Sequence, residues 1–374
     1  MVAVNKSMLF NKENRSMVDR ETYSIWQGMT WPSYEDFIDG KLLSDSVISE
    51  LTPLITEFIE ASRRPNRVIL ALETMVTYGC TLACKGCTNF SDYKGHSRGN
   101  IKWKDFRKDF KRLYERTIVD SILLMGGEPL LNKDFPNWIK GIRTEFPKVR
   151  IVILTNGHLL LGNTWLIDYM KEYGNIWLKI SNHVPGADWY DQAVALVKKS
   201  FNWKELKKSQ NIYKQVFASK VEFLHDPKYN CFLEIPEYDK YQVMATGDYG
   251  NLKPWKQDPV DSFKRCMAAD SVAFNDGKLY KCTMNWNLQY ALADHGQQDD
   301  SDWKGYLYKG VDIHTCTEQE LDAFISNIGK PHKICGMCPA ASQPDSEVMM
   351  DHFGTTTSKI NFENYYDKKI RRNL

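Results

Sequence analysis

Short apolar runs alternate with amphipathic segments between about residues 67 and 200. The apolar runs are rich in Val, Ile and Leu and predict four strands: Val68–Val76, Ser121–Met125, Val149–Leu154 and Ile176–Ile180. The amphipathic segments predict four helices: Lys104–Arg116, Phe135–Glu145, Thr164–Tyr173 and Trp189–Lys199. Strands that recur at roughly 30-residue spacing with helices between them favour parallel pairing with crossover helices. We therefore expect an α/β fold built as an open or closed barrel.

Polar landmarks follow each of these four strands. A cysteine-containing loop follows the first, Gly126–Pro129 the second, Thr155–Gly157 the third and Ser181–His183 the fourth. In α/β barrels the chemistry sits at the carboxyl ends of the strands. The sequence therefore predicts a functional site at this edge of the sheet.

The rest of the chain divides by its pattern. Residues 1–66 include a helical-looking stretch, Ser44–Ser62, and we interpret them as a helical extension that packs on the main domain. Residues 226–262 are rich in Pro, Asp, Tyr and Gly, which predicts an irregular connection. We expect a main domain at 67–260, a small metal-stapled domain at 261–345, which holds five of the nine cysteines, and a tail at 346–374.

Charge and composition narrow the function. Lys and Arg (49) nearly balance Asp and Glu (47), so no overall field favours nucleic acid or a membrane surface. Neither a signal peptide nor an apolar run of membrane-span length is evident, and we expect a cytoplasmic protein. In a reducing compartment, cysteines favour metal or redox chemistry over disulfides.

The sequence Cys80-Thr-Leu-Ala-Cys84-Lys-Gly-Cys87 places three thiols in one loop. Three thiolates can bind three irons of a 4Fe–4S cubane and leave the fourth iron open, as a catalytic centre requires. The alternative is a zinc site, which usually takes four ligands, and no fourth ligand stands nearby at the expected spacing.

The cysteine spacing resembles that of radical S-adenosylmethionine (SAM) enzymes, and Gly126-Gly127-Glu128-Pro129 resembles their GGEP motif. The resemblance implies a partial (β/α)6 TIM-like barrel, a SAM-binding 4Fe–4S cluster on the cysteine triplet, and contact of the GGEP turn with the methionyl ammonium. The chemistry is consistent, because glycines permit close backbone approach and a carboxylate pairs with an ammonium.

Two further strand ends resemble family motifs that contact the ribose and carboxylate of SAM, through Asn156 and Ser181. A simple turn is the alternative at the Asn-Gly pair. The family often has an aromatic residue directly before the third cysteine, where this chain has Gly86. We therefore expect Tyr78 or Phe90 to stack on the adenine.

A second group of cysteines comprises Cys266, Cys282, Cys335 and Cys338, with Cys316 between them as an alternative ligand. The segment from Gly277 to Cys282 resembles the hairpin of the family's SPASM and Twitch extensions. That resemblance implies a C-terminal Fe–S appendage with one auxiliary 4Fe–4S cluster. A zinc site with four thiolates is the alternative. Cys231 has no partner at a suitable spacing, and we interpret it as a buried thiol.

His183 follows a strand end and is a candidate general base or substrate contact; a structural role is the alternative. The resemblance implies an oxidoreductase that removes hydrogen from a substrate, with an electron donor such as flavodoxin or ferredoxin. A sugar-like or cyclitol-like substrate is expected, and modification of a peptide is the alternative. A non-catalytic zinc or iron–sulfur module is the alternative of another class, but it leaves the GGEP turn unexplained.

Overall fold

The computed structural model describes residues 67–84, 87–90, 99–206, 218–238, 240–247, 250–351 and 356–357. The predicted N-terminal extension and Gly86 therefore lie outside the described residues, as does most of the predicted tail. No helix within these ranges is long and apolar enough to span a membrane.

One ten-stranded, mostly parallel sheet organises the described chain, in the order β12-β11-β10-β1-β3-β4-β5-β8-β7-β6. Two short antiparallel pairs, β2 with β14 and β9 with β13, lie outside it. The strands are β1 (Val68–Thr77), β2 (Leu82–Ala83), β3 (Ile118–Gly126), β4 (Arg150–Thr155), β5 (Ile176–Ile180), β6 (Lys204–Glu205), β7 (Ala218–Asp226), β8 (Cys231–Tyr238), β9 (Lys240–Gln242), β10 (Ser271–Asn275), β11 (Lys278–Tyr280), β12 (Val311–Asp312), β13 (Met349–Asp351) and β14 (Thr356–Thr357).

Within the described residues, four helices connect or follow the central strands, and four more belong to the C-terminal region. They are α1 (Trp103–Arg116), α2 (Phe135–Glu145), α3 (Trp165–Tyr173), α4 (Asp188–Ser200), α5 (Pro259–Lys264), α6 (Thr283–Asp294), α7 (Glu318–Ile325) and α8 (Asp345–Val348).

The predicted α/β fold is confirmed. β1, β3, β4 and β5 are parallel neighbours, and all four predicted strands and helices form within a few residues of their predicted ends. Among the strands that the structure describes, the sheet is open, because β12 and β6 are its two edge strands and do not pair with each other. The expectation of an open or closed barrel is therefore resolved as open.

The two faces of the sheet have different environments. Residues of one face, such as Ile122, Ile151 and Leu178, join a large core with the helices. Val152, Trp177 and Phe232 belong to a separate cluster on the opposite face. Because successive side chains in a strand point to opposite faces, the helix-covered face carries most of the apolar core. The other face is left for the functional site.

The prediction of an irregular connection over residues 226–262 is wrong. Cys231–Tyr238 forms strand β8, which pairs in parallel with β5 and antiparallel with β7. Pro236 has no N–H to donate to a strand ladder, but it lies beyond the last residue of β8 that pairs with β5, so no bond to β5 is lost there. Long-range pairing on both sides decided the conformation of this segment.

The C-terminal region extends the same sheet. β10 pairs in parallel with β1, with Leu72 opposite Val272, and β10 and β11 form a hairpin that turns at Asp276-Gly277. Both turn residues have positive φ angles, 53° and 69°, which explains the glycine. The hairpin that the sequence led us to expect before Cys282 is therefore present, although the domain boundaries remain predictions.

Candidate functional site at the carboxyl edge of the sheet

The three cysteines of the first loop lie together directly after β1. Cys80, Cys84 and Cys87 form one apolar cluster with Leu82, and they are joined there by Val184 from the segment after β5. Burial raises the pKa of the Cys80 thiol well above its usual range, and the neighbouring Cys87 and Cys84 add to the effect. The loop thus concentrates three thiols in a place where a bound metal would favour their thiolate form.

The Gly-Gly-Glu-Pro turn at the end of β3 packs directly on the backbone of the cysteine loop. The N–H of Gly127 donates to the carbonyl of Thr77 at 3.1 Å, and that of Glu128 donates to the carbonyl of Gly79 at 2.8 Å. A Cβ atom at position 127 would lie 2.0 Å from the Gly79 oxygen. Only glycine fits this approach, so the turn and the loop are built as one unit.

Glu128 is fully buried at the centre of this unit. Its carboxylate accepts hydrogen bonds from the Thr155 hydroxyl at 2.7 Å, the Asn156 N–H at 2.9 Å and the Leu130 N–H at 3.1 Å. Burial raises its pKa to about 7, against the effect of these donors. Sequence reasoning assigned Glu128 a role toward a ligand ammonium but missed that it also ties the ends of β3 and β4 together.

Asn156 connects Glu128 to the cysteine loop. Its backbone N–H contacts the Glu128 carboxylate, while its side-chain amide lies 3.0 Å from the Thr81 hydroxyl and 3.7 Å from the sulfur of Cys80. The predicted residues Cys80, Glu128 and Asn156 therefore meet at one point. Ser181 is close as well, because its N–H donates to the carbonyl of Thr155 at 2.9 Å.

His183 is half-buried just past β5. Burial lowers its pKa to about 4, and the charge of Lys179 acts in the same direction. The imidazole is therefore neutral near neutral pH. A neutral ring can donate and accept hydrogen bonds, but a pKa near 4 makes it a weak base.

An ion pair that the sequence did not reveal lies on the inner face of the sheet, opposite the helix-covered face. The ammonium of Lys179 on β5 lies 3.0 Å from the carboxylate of Glu234 on β8, and the two residues are direct neighbours in the strand register. Lys179 comes two positions after Trp177, and Glu234 comes two positions after Phe232. Side chains two positions apart in a strand share a face, so the ion pair lies on the inner face, closer to the strand ends than the two aromatic residues. Strand β8 had to be identified before this pair could be found.

The two aromatic residues proposed for adenine stacking are buried in the protein. Tyr78 is 2% exposed and packs on Trp286 of α6, with ring centroids 5.6 Å apart. Phe90 is 3% exposed and joins an apolar cluster that includes Met284 and Leu288 of α6. Their packing connects the cysteine loop to α6, and a role toward adenine remains a prediction.

The second group of cysteines also comes together. Cys266 follows α5, Cys282 caps the N-terminus of α6, and Cys335 and Cys338 lie in a short turn that packs on α5. Burial raises the pKa of Cys266 to about 11 and that of Cys282 to about 12, and the other thiols of the group contribute in each case. The four thiols are therefore close enough to interact through their charges.

Cys316 lies apart from this group. The guanidinium of Arg116 donates to its sulfur at 3.1 Å and to its carbonyl at 3.0 Å. Cys231 is fully buried, as predicted, and its thiol donates to the carbonyl of Met170 at 3.3 Å. Neither residue is positioned with the other thiols.

Several buried polar atoms near Cys282 have no hydrogen-bond partner among the described residues. They are the ammonium of Lys281, the side-chain oxygen of Asn285 and both polar side-chain atoms of Asn287. Buried polar groups are nearly always paired in folded proteins, so these atoms indicate missing partners. A group bound at this place would supply them.

The donor chemistry of the two cysteine groups fits iron–sulfur clusters. Cys80, Cys84 and Cys87 offer three thiols, and the second group offers four. Within the part of the chain described, no three His, Cys, Asp or Glu side chains converge on a position for a single metal ion. The thiols of each group are therefore neighbours, but in the described residues they are not arranged around one position as the ligands of a single metal ion would be.

Comparison with known proteins finds a family similar to the core of the chain. Residues 74–206, about a third of the chain, match the model of the Radical SAM superfamily. GTP 3′,8-cyclase of Nautilia profundicola is 29% identical over 107 residues, which cover 29% of this chain and 30% of that protein. The chain therefore aligns with less than a third of this curated relative.

Solved structures with similar folds include BtrN in complex with AdoMet and 2-DOIA. It has 14% identity and a TM-score of 0.42, and the match covers 76% of this chain and all of BtrN. SuiB of Streptococcus suis bound to S-adenosylmethionine has 17% identity and a TM-score of 0.30, over 50% of this chain and 41% of SuiB.

Proposed function

We propose that this protein is a radical SAM enzyme that oxidises a small hydroxylated molecule, with a sugar-like or cyclitol-like compound as the substrate class. The superfamily match over residues 74–206 supports an enzyme that uses SAM and a 4Fe–4S cluster. The observation that carries the proposal is the meeting of Cys80, Glu128 and Asn156 at the carboxyl edge of the sheet. The proposed substrate class rests on the polar groups of the inner face, and the proposed direction of the chemistry rests on the second cysteine group.

When bound, the first cluster and SAM supply a 5′-deoxyadenosyl radical that removes a hydrogen atom from the substrate, and a second cluster supplies an acceptor for an electron. In the proposal, Cys80, Cys84 and Cys87 hold the first cluster. Glu128, through its remaining acceptor capacity, and Ser181 orient the amino acid and ribose parts of SAM. Asn156 contacts both Glu128 and the Cys80 loop and so fixes their relative position. Gly127 permits the close approach of the turn after β3 to that loop.

The residues of the inner face support a polar substrate. The Lys179–Glu234 pair lies toward the strand ends, and a buried ion pair offers both donors and acceptors to substrate hydroxyl groups. His183 lies near Lys179, and in the proposal its neutral imidazole positions a substrate hydroxyl rather than storing its proton. These contacts favour a hydroxylated small molecule over an apolar one.

Cys266, Cys282, Cys335 and Cys338 are the proposed ligands of an auxiliary cluster. Apolar side chains connect the two cysteine groups: Phe90, three residues after Cys87, shares a cluster with Cys282 and Cys338. This proximity supports electron transfer between a substrate in the site and the auxiliary group, and therefore an overall oxidation.

Replacement of one cysteine tests the proposed radical chemistry. Cys84→Ala should abolish reductive cleavage of SAM to 5′-deoxyadenosine, because two thiolates hold the cluster too weakly. Cys231→Ala is the matched control, since it removes a buried thiol away from both groups and should keep cleavage. The measurement is 5′-deoxyadenosine formed with dithionite under anaerobic conditions. Undiminished cleavage by Cys84→Ala would contradict the assignment.

Deuterium transfer tests the substrate class. Carbon-deuterated polyols and sugars, and separately deuterated peptides, are incubated with the reconstituted enzyme, and the mass of 5′-deoxyadenosine is measured. The proposal expects deuterium from a polyol or sugar. Deuterium from peptides alone would favour the alternative, radical modification of a peptide.

A further inference from the structure

Lys281 carries a buried ammonium without a partner. The residue is 8% exposed, and its Nζ atom forms no hydrogen bond or ion pair with any residue in the described part of the chain. The Nζ atom lies over the face of the Phe263 ring, 4.9 Å from the ring centroid. Burial of a charge without a counter-charge is costly, so Lys281 needs an anion that a loaded protein would contain.

The groups near Lys281 that become anionic when they bind a metal are the thiols of the second cysteine group. Lys281 directly precedes Cys282, and its positive charge opposes the burial that raises the pKa of Cys266. Because Lys281 is the chain neighbour of Cys282 and its Nζ atom is buried, its unpaired charge belongs to the same buried region as the second cysteine group.

Glu73, the nearby carboxylate, does not act as the counter-charge. It accepts hydrogen bonds from the hydroxyls of Ser271 and Thr283, and burial raises its pKa toward the neutral form. It forms no ion pair with Lys281. A cluster bound by four thiolates carries net negative charge and would supply the missing anion.

We propose that Lys281 is the counter-charge of the auxiliary cluster on Cys266, Cys282, Cys335 and Cys338, and that it raises the midpoint potential of this cluster. The inference rests on the proposed function, which supplies the cluster. A fixed positive charge in a buried site stabilises the reduced, more negative state of a neighbouring cluster. Lys281 thus makes the auxiliary cluster a better acceptor for the electron that an oxidised substrate gives up.

An anionic ligand in a neighbouring cavity is the competing explanation. A cavity of about 710 Å³ is lined by Lys281, Tyr308, Cys316 and His332. However, the Nζ atom of Lys281 has essentially no accessible surface, so a ligand in this cavity could not reach it without rearrangement.

A redox titration of the auxiliary cluster alone tests the proposal. The full-length chain carries Cys80, Cys84 and Cys87 all replaced by Ala, so that only the auxiliary group can bind iron. Midpoint potentials are measured by electron paramagnetic resonance after anaerobic reconstitution, with and without Lys281→Met. Lys281→Arg keeps the charge, and Lys330→Met removes an exposed charge from the same region as the matched control.

We expect Lys281→Met to lower the potential by at least about 59 mV, a tenfold change in the one-electron equilibrium. Lys281→Arg should stay near the parent value, and Lys330→Met should leave it unchanged. A Lys281→Met shift no larger than that of Lys330→Met would overturn the role of Lys281 while the cluster assignment stands. Absence of a reducible cluster in the parent chain would instead defeat the auxiliary cluster itself.

Stability and assembly provide a second readout. Without iron, Lys281→Met should melt at or above the temperature of the parent chain, because it removes an unpaired buried charge; a lower melting temperature contradicts the proposal. If Lys281→Met folds but binds no iron while Lys281→Arg binds it, the positive charge is required for assembly, which supports the proposal. If both variants fold and neither binds iron, the charge is not the relevant property and the proposal fails.

Discussion

At the scale of single residues, unsatisfied and perturbed groups mark the site. Glu128 has a raised pKa of about 7, His183 a lowered one of about 4, and Asn287 is fully buried with neither polar side-chain atom paired within the described residues. Such groups reduce the stability of the unliganded protein. Perturbed titratable groups such as Glu128 and His183 are common at functional sites.

Asn287 allows a test of how much an unpaired buried side chain reduces the stability of the iron-free protein. It lies one helical turn after Thr283, whose hydroxyl contacts Glu73 on the inner face, so its amide points in a similar direction. Asn287→Leu should raise the free energy of unfolding of the iron-free protein by about 1–2 kcal/mol, since it removes unpaired buried polar atoms. It should also reduce turnover of the substrate. Gln289→Leu on the same helix is the control for helix propensity, and an equal gain in both variants would contradict the explanation.

His183 predicts a specific dependence of stability on pH. The pKa falls from 6.5 to about 4 on folding, so the unfolded chain binds more protons between these values and stability decreases as pH falls through this window. Unfolding of His183→Asn in urea at pH 7.5 and pH 5 should show a smaller loss of stability than the parent. His314→Asn is the control, because His314 is a half-exposed histidine that pairs with Asp109. A loss as large as that of the parent would show that His183 does not titrate in this way.

At the scale of elements, the position of the site follows from parallel strands that end at one edge. The turn after β3 and the start of the turn after β4 hold Glu128 and Asn156 against the loop after β1. Two arginines attach helix α7 to the central part of the fold. Arg116, at the end of α1, donates to Glu318 at 2.7 Å, and Arg67, just before β1, donates to Asp322 at 2.6 Å. The site therefore depends on contacts between elements that are distant in sequence.

Gly127→Ala tests the contact between the β3 turn and the cysteine loop. The added Cβ atom would overlap the Gly79 carbonyl and push the loop away from Glu128. We expect a loss of stability of about 1–3 kcal/mol, typical of overpacking, together with loss of iron from the first cysteine group. The measurements are thermal unfolding and iron content. Gly162→Ala, where an added Cβ meets no atom within 4 Å, should be neutral, and equal effects in the two variants would contradict the prediction.

At the scale of the whole molecule, two thiol groups share one sheet. The first follows β1, and the second surrounds α6 and α5 beside β10, which pairs with β1. The chain thereby places two proposed clusters around the same inner face. In the proposal, a hydrogen atom would be removed from a substrate held there, and the electron passed onward would come from that same substrate.

Iron analysis tests this arrangement for the intact chain. Full reconstitution should give about eight irons per chain, and Cys282→Ala should retain about four together with reductive SAM cleavage but lose substrate oxidation. Iron and acid-labile sulfide are measured beside zinc. Stoichiometric zinc without iron would favour a structural metal module, and about four irons in the parent chain would leave only the first cluster.

The sequence by itself determined the strand and helix rhythm between residues 68 and 200, the cysteine triplet, and the polar residues at four strand ends. These features are local: periodicity and short spacing specify them without knowledge of the partner elements. The residues that the sequence proposed for the second cysteine group also lie together, because Cys335 and Cys338 are close in sequence and Cys282 follows a hairpin.

Only the tertiary structure decided which distant groups meet. It assigned Cys316 to Arg116 instead of the other thiols, buried Tyr78 and Phe90 against α6, and brought Lys179 beside Glu234 through a strand that composition had concealed. Pairing between strands far apart in sequence is fixed by the packing of the complete sheet, and no local pattern encodes it. The same reason explains why the unpaired charge of Lys281 became visible only when its surroundings were known.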